Sequence, residues 1–560
     1  MKTLVMVGTV SVGLLAGGFA LMQDAPAQPA ADVPLGWQQS HRVQATRLLR
    51  RGYMALANRP PTVEEYEELL ALPAAEREDA VVERLDALLQ GPEFEDAILR
   101  FGMELLRVGS YDFRTDFVNS DFDGHYGVEV MACPAGTAHE GALGLLSNSA
   151  AYGEPWELCD DPGAPIEEIE PWWEPGSTVT MIGAAGQTDV RSVGGVDCGK
   201  PRGRIQWPAP GCSCGPNLVY CNRRDGVGGG ENFDNFDPLS MRRSAFEEPG
   251  RLFQYIVTND RPLSDLVVGD YTLVNRPLHY MYLRNGRQNG SNDFLDETEW
   301  FRDYASDSHW KETSFESMHP NMLSERDTRF DPRVEDGSPP GVPAAGVLSM
   351  LAPNYTFPRE RVRGARWLEI FACREFTPPP ADVEFHDFQR DPGTEGVCEH
   401  CHQLIDPASM HFKRLYGGGA QFGGVGDWSL QALDLDDDYR ERSISTFEYD
   451  TLMTPVETVR LEENPDAALI DFLPEDYTLF GQTGDGTIGP LGLGKILVES
   501  GEFDSCMVRR VHEFVTGRDL VPGRDDTALD AYVDTFVDND RSVRSLIRAV
   551  IRSDDFSIGW

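Results

Sequence analysis

The chain has 560 residues, 92 acidic against 49 basic, for a formal charge of −43, and 41% of it is hydrophobic. It is too long for one core and reads as about three or four units. The charge argues against nucleic acid, because phosphate binding needs a basic face; it reads either as a simply solvated acidic surface or as one that favours a basic docking partner.

Lys2, the apolar run Leu4 to Met22 and Ala25-Pro26-Ala27 read as a secretory signal over residues 1–27, with an uncleaved N-terminal anchor as the alternative. No later run is apolar for long enough to span a bilayer, so any membrane attachment rests on this segment. Residues 28–110 predict a helical bundle. Val43, Leu48 and Leu49 open an amphipathic run that Pro60-Pro61-Thr62 breaks, and Thr62 caps the next helix with Glu64 and Glu65 in its first turn. Val81, Val82, Leu85 and Leu88, then Phe94 to Leu106, keep helical spacing.

Between residues 111 and 238 the periodicity fails, and Gly, Pro, Asp and Trp dominate. Six cysteines here, Cys133, Cys159, Cys198, Cys212, Cys214 and Cys221, suggest an irregular, loop-rich insert stapled by disulfides. Asn119-Ser120-Asp121-Phe122-Asp123-Gly124 fits the start of a calcium loop, although Asn opens it and Glu129 falls one place before the twelfth position; an Asx-rich turn is the competing reading.

Residues 239–345 form a helical domain with a polar linker: Leu252, Ile256, Leu263, Leu266 and Val267 are spaced for burial within a helical signal from Pro238 to Met281, and the polar stretch Arg284 to Pro343 reads as a surface excursion. In residues 346–440 a helix from Arg359 to about Phe376 turns Val362, Trp367, Ile370 and Phe371 toward a core, and Pro378-Pro379-Pro380 stops it. In residues 441–560 helices return. Val508, Val511, His512 and Val515 share a stripe, and Val543, Leu546, Ile547, Val550 and Ile551 follow i, i+3, i+4, i+7, i+8. The fold class is mainly α and multi-domain.

The chemistry concentrates in Cys398-Glu399-His400-Cys401-His402. Two thiols at this spacing can each form a thioether to a haem vinyl group, and the adjacent histidine then ligates the iron. Competing readings are a thioredoxin-like pair, a disulfide with an incidental histidine, and a zinc site completed by neighbouring histidines, for which only the isolated Cys373 is near. If His402 binds iron through Nε2, its Nδ1–H needs an acceptor, and a backbone carbonyl at an Asp406-Pro407 turn is the nearest. For the sixth ligand Met453 is favoured, in Leu452-Met453-Thr454-Pro455, with Met410 as the alternative and His411 and Met507 behind it. The chain contains no Gly-x-Ser-x-Gly, His-Glu-x-x-His or phosphate loop.

Cys398 to Pro407, preceded by Arg363-Gly364 and Pro378-Pro379-Pro380-Ala381-Asp382-Val383, resembles the haem-motif segment of secreted bacterial proteins that carry domains of unknown function 1592, 1588 and 1585 in tandem. Arg261-Pro262-Leu263-Ser264-Asp265-Leu266 and Asp270-Tyr271-Thr272-Leu273-Val274-Asn275 resemble the first of these domains. Phe503-Asp504-Ser505-Cys506, Gly517-Arg518 and Ser553-Asp554-Asp555-Phe556 are similar to the third. After Asp406-Pro407 the family usually continues with Gly-Phe, whereas this chain has Ser409-Met410. The resemblance implies an extracytoplasmic, cytochrome-like protein and supplies no activity.

The reading is therefore a periplasmic or cell-surface protein with a cytochrome c-like region holding one covalent haem c, which passes electrons to a redox partner. A haem-dependent oxidoreductase with an open axial position and a secreted binding or assembly module are the alternatives. Outside the motif eight cysteines remain, an even number, so few free thiols are expected. Cys198, Cys212, Cys214 and Cys221 would pair locally, and Cys373 would pair with Cys506 at long range.

Overall fold

The computed structural model describes residues 44–107, 128–146, 159–182, 216–218, 221–224, 238–279, 300–314, 322–323, 342–357, 360–376, 399–412, 415–416, 431–432, 478–484 and 488–557. Four helices come first: α1 Ala45–Leu56, α2 Val63–Ala71, α3 Arg77–Leu88 and α4 Pro92–Leu106. Thr62 starts α2 through a reciprocal capping box, its hydroxyl accepting from Glu65 N (3.2 Å) while the Glu65 carboxylate accepts from Thr62 N (2.6 Å). Pro92 opens α4, where its missing N–H costs nothing.

The segment expected to be irregular contains a five-stranded sheet: β1 Val128–Ala132, β2 Leu143–Leu146, β3 Ile166–Ile169, β4 Val179–Ile182 and β5 Cys221–Arg224, in the order β3-β4-β2-β1-β5. The β1–β2 and β3–β4 pairs are antiparallel, and β1–β5 and β2–β4 are parallel. Strands of four or five residues are too short to show a period of two, which is why the sequence hid them. Cys133 and Cys159 are bridged, and with Ala142, Ala164 and Ile182 they make a small separate core. A staple suits so small a core. Cys198, Cys212 and Cys214, and the candidate calcium loop before Val128, lie outside the described residues; Val128 to Val130 belong to β1.

Helices α5 Pro238–Thr258 and α6 Asp265–Val268 follow, then β6 Tyr271–Val274, which pairs antiparallel with β7 Lys311–Ser314. Two expectations change here. The helical signal read through to Met281 is interrupted by β6, where Tyr271-Thr272-Leu273-Val274 favours a strand. The polar stretch read as a surface excursion supplies β7 and sends Trp300 and Phe301 into the core.

Apart from three pairs of two-residue strands, the rest is mainly helical: α7 Leu351–Thr356, α8 Glu360–Phe371, α9 Glu399–Met410, α10 Pro490–Glu499, α11 Glu502–Thr516, α12 Asp526–Asp538, α13 Val543–Ile551 and α14 Asp554–Ser557. In α8 Trp367, Ile370 and Phe371 are buried as expected, but Val362 is 42% exposed and the helix ends at Phe371. All five positions of the apolar stripe on α13 are buried.

One hydrophobic cluster runs from Leu48 to Phe556, so the first and last helices share a core. Helix α1 packs on both α3 and α11, and α4 packs on α5. Phe101 of α4 stacks on Phe514 of α11 with centroids 4.3 Å apart. Polar ties seal the rim: Asp86 accepts from Arg548 (2.7 Å) and Arg552 (3.1 Å), and Phe556 O accepts from Arg51 (2.6 Å).

His279 is buried against Trp300, with Nδ1 2.7 Å from the Tyr304 hydroxyl. Burial, and secondarily the charge of Lys311, lowers its pKa from 6.5 to about 3. An unfolded chain binds this proton first. The stability contributed by neutral His279 is therefore complete above pH 6.5 and is lost as pH falls toward about 3. The loss is on the order of 5 kcal/mol. Urea midpoints measured across this window should fall less steeply for His279→Gln than for the wild type; equal slopes would assign the loss to other groups.

Candidate functional site

Helix α9 carries Cys401 and His402 in its first turns; Cys398 lies just outside the described residues. The helix is sunk unevenly. Ala408, Ser409 and Met410, with His411 and Phe412 after them, are buried, whereas Cys401, His402, Leu404, Ile405 and Asp406 are half-buried and Gln403 is exposed. The motif end thus presents a thiol, an imidazole and two aliphatic side chains at the surface of a helix anchored at its other end.

The anchoring has three parts. Gly364 of α8 lets the helices approach closely, for a Cβ there would lie 3.0 Å from Ser409 N and 3.2 Å from the Ala408 carbonyl carbon. Arg363, 1% exposed, donates to Phe357 O (3.0 Å) and Asn354 O (2.9 Å) and lies over the Phe412 ring. His411 Nδ1 donates to Gly489 O at 2.8 Å, tying the end of α9 to the start of α10.

His402 Nδ1 lies 3.0 and 3.1 Å from the two Asp406 carboxylate oxygens, and Arg361 of α8 grips the same carboxylate, Nε to Oδ1 at 2.7 Å and Nη2 to Oδ2 at 3.4 Å. Burial pushes the Asp406 pKa up, but the His402 hydrogen bond and the Arg361 charge outweigh it, and the net shift is downward. An ionised carboxylate only accepts, so Nδ1 must carry the proton and, in the neutral ring, Nε2 keeps the lone pair. Nε2 makes no hydrogen bond among the described residues.

This corrects the expected acceptor. No turn forms at Asp406-Pro407, because α9 continues through Pro407 to Met410, and the partner of Nδ1 is a side-chain carboxylate rather than a carbonyl. The signal was present in the sequence, since His402 and Asp406 stand at i and i+4, neighbours on one helix face. Arg361, from a different helix, carried no such signal.

Cys401 is a free thiol, so it does not form the structural disulfide that was one competing reading. Among the described residues no group of three or more His, Cys, Asp or Glu is placed to hold a metal ion. Of the candidate sixth ligands, Met453 lies outside the described residues. Met410 is 8% exposed at the far end of α9 itself, Met507 is in the α11 core, and His411 is engaged with Gly489. Met410 stands eight residues beyond His402, about 12 Å along one helix axis.

Cys373 and Cys506 are bridged across 133 residues, the long-range pairing expected from the sequence. The bond ties the chain just after α8 to α11. Peptide mapping without reduction should recover the two joined, and replacing both by Ala should cost about 2–5 kcal/mol of stability. Gly364→Ala should push α8 off α9 and cost about 1–3 kcal/mol, read as a lower thermal midpoint. A neutral Gly364→Ala would mean the helices are free to separate.

A family model described as a protein of unknown function, DUF1585, matches residues 483–556, the stretch from just before α10 through most of α14. No curated protein and no solved structure matches the chain.

Proposed function

We propose that this chain is an extracytoplasmic carrier of one covalently bound haem c whose role is electron transfer. The observation that supports the reading most directly is the His402–Asp406 pair, which presents an imidazole with Nδ1 committed and Nε2 available, one residue after a free, half-buried thiol. These residues fit the group. Cys398 and Cys401 would hold it by thioethers, each S–H adding across a vinyl double bond with no atom lost, and His402 would ligate the iron. The bound haem would supply one-electron chemistry at a potential set by ligand, burial and hydrogen bonding.

What the chain itself does is hold and orient. The buried end of α9 fixes the helix, Asp406 fixes the ring, and half-buried Leu404 and Ile405 offer an apolar surface beside the ligand. Export agrees with the rest. The two bridges belong to an oxidising compartment, and among the described residues no helix is long and apolar enough to cross a membrane. The resemblance to domains 1592 and 1588 upstream of the matched segment adds to the same reading. The acidic surface suits a basic redox partner.

Expression in a host with haem-c maturation should give a protein that retains haem stain after denaturation and gains the mass of one haem; Cys398→Ala with Cys401→Ala should abolish both. A colourless wild type that binds zinc would overturn the reading. If His402 and Met453 both ligate the iron, the loaded protein should be low-spin and indifferent to carbon monoxide, and Met453→Ala should make it reactive to carbon monoxide and lower the potential. A high-spin wild type that takes up carbon monoxide would make the protein a haem enzyme instead of a carrier.

A further inference from the structure

We infer that Asp406 is a positioning residue that locks the His402 tautomer and strengthens Nε2 as a donor, with Arg361 moderating it, so that iron ligated there is biased toward the ferric state. This deepens the haem reading and rests on it.

Three side chains from two helices converge. Helix α9 supplies His402 and Asp406 one turn apart, and α8 supplies Arg361, whose guanidinium takes the carboxylate along both oxygens. Gly364, three residues after Arg361 on the same helix, is what lets α8 come close enough for that reach.

A full negative charge on the acceptor is the chemical point. A carbonyl orients Nδ1–H with a partial charge, whereas a carboxylate polarises the N–H bond and sends electron density through the ring to Nε2. A more basic donor stabilises the higher charge on iron, which is the ferric state. Arg361 acts in the opposite sense by drawing charge from the same oxygens. The two residues should therefore have opposite effects when neutralised. Asp406→Asn keeps an oxygen that can accept from Nδ1 but removes the charge; Arg361→Gln leaves the charge and removes its counter-ion. If the triad were only a clamp holding α9, both changes would loosen the helix and shift the iron in one direction.

The experiment is potentiometric titration of the full-length protein and both variants after haem stain and mass have confirmed attachment in each. At the wild-type midpoint the ferric-to-ferrous ratio should fall about tenfold in Asp406→Asn, a rise of about 59 mV for one electron, and should increase in Arg361→Gln. Shifts of the same sign, or none in Asp406→Asn, overturn this inference and leave the haem reading standing. A wild type with no attached haem overturns both. Should Asp406→Asn fail to mature, imidazole-nitrogen NMR of the haem-free Cys398→Ala, Cys401→Ala protein decides. His402 should be protonated at Nδ1 there, and protonation at Nε2 instead overturns the inference.

Discussion

The helical core leans on the apolar surface of α11. Its Phe503, Cys506, Met507, Val508, Val511, His512 and Val515 are buried, and the helix packs against α1 from the start of the chain, α8 beside the motif helix, and α10, α12, α13 and α14 around it. A helix with so wide a buried face is stable only when every side is covered, because isolated helices of this length are marginal in water. Segments far apart in sequence are thereby forced into one core. The motif helix inherits its rigidity at second hand, through α8.

Polar groups inside this core are handled individually. Asp504, 5% exposed, is matched by the Arg541 guanidinium at 2.7 and 3.0 Å. His512, with no side-chain exposure, donates Nδ1–H to Arg518 O at 2.9 Å, and burial holds its pKa down. Asp555, 3.9 Å from His512 Nε2, is occupied by Arg518 and Tyr532. Burying a charge without such a partner would cost several kcal/mol, which is roughly the whole stability of a domain, so these pairings are conditions of the fold rather than additions to it.

What the sequence disclosed follows the strength of its periodic signals. The stripe on α13 and the cap at Thr62 were legible because helix geometry writes them into consecutive spacings. The five-stranded sheet was not, since its strands span only about two alternations and Glu167-Glu168 interrupts the apolar pattern of β3. Trp300 and Phe301 sat in a polar composition that averaged them away. At the site, the motif itself named Cys401 and His402. The Asp406 carboxylate stands one helical turn after His402, but a turn expected at Asp406-Pro407 hides that spacing, because Pro407 lies inside the helix. Arg361 belongs to a tertiary crossing that no local pattern encodes.

The bridge between Cys373 and Cys506 closes a loop of sequence that contains both cysteines of the motif. In the oxidising compartment of the proposed reading, the ten cysteines of the chain could exchange partners, and any exchange that captures Cys401 removes it from the helix where it is found free. Depth distinguishes Cys506, 2% exposed within α11, from Cys401, which is half-buried and within reach of solvent. Docking α8 onto α11 withdraws Cys506 from exchange while leaving Cys401 outside that interface.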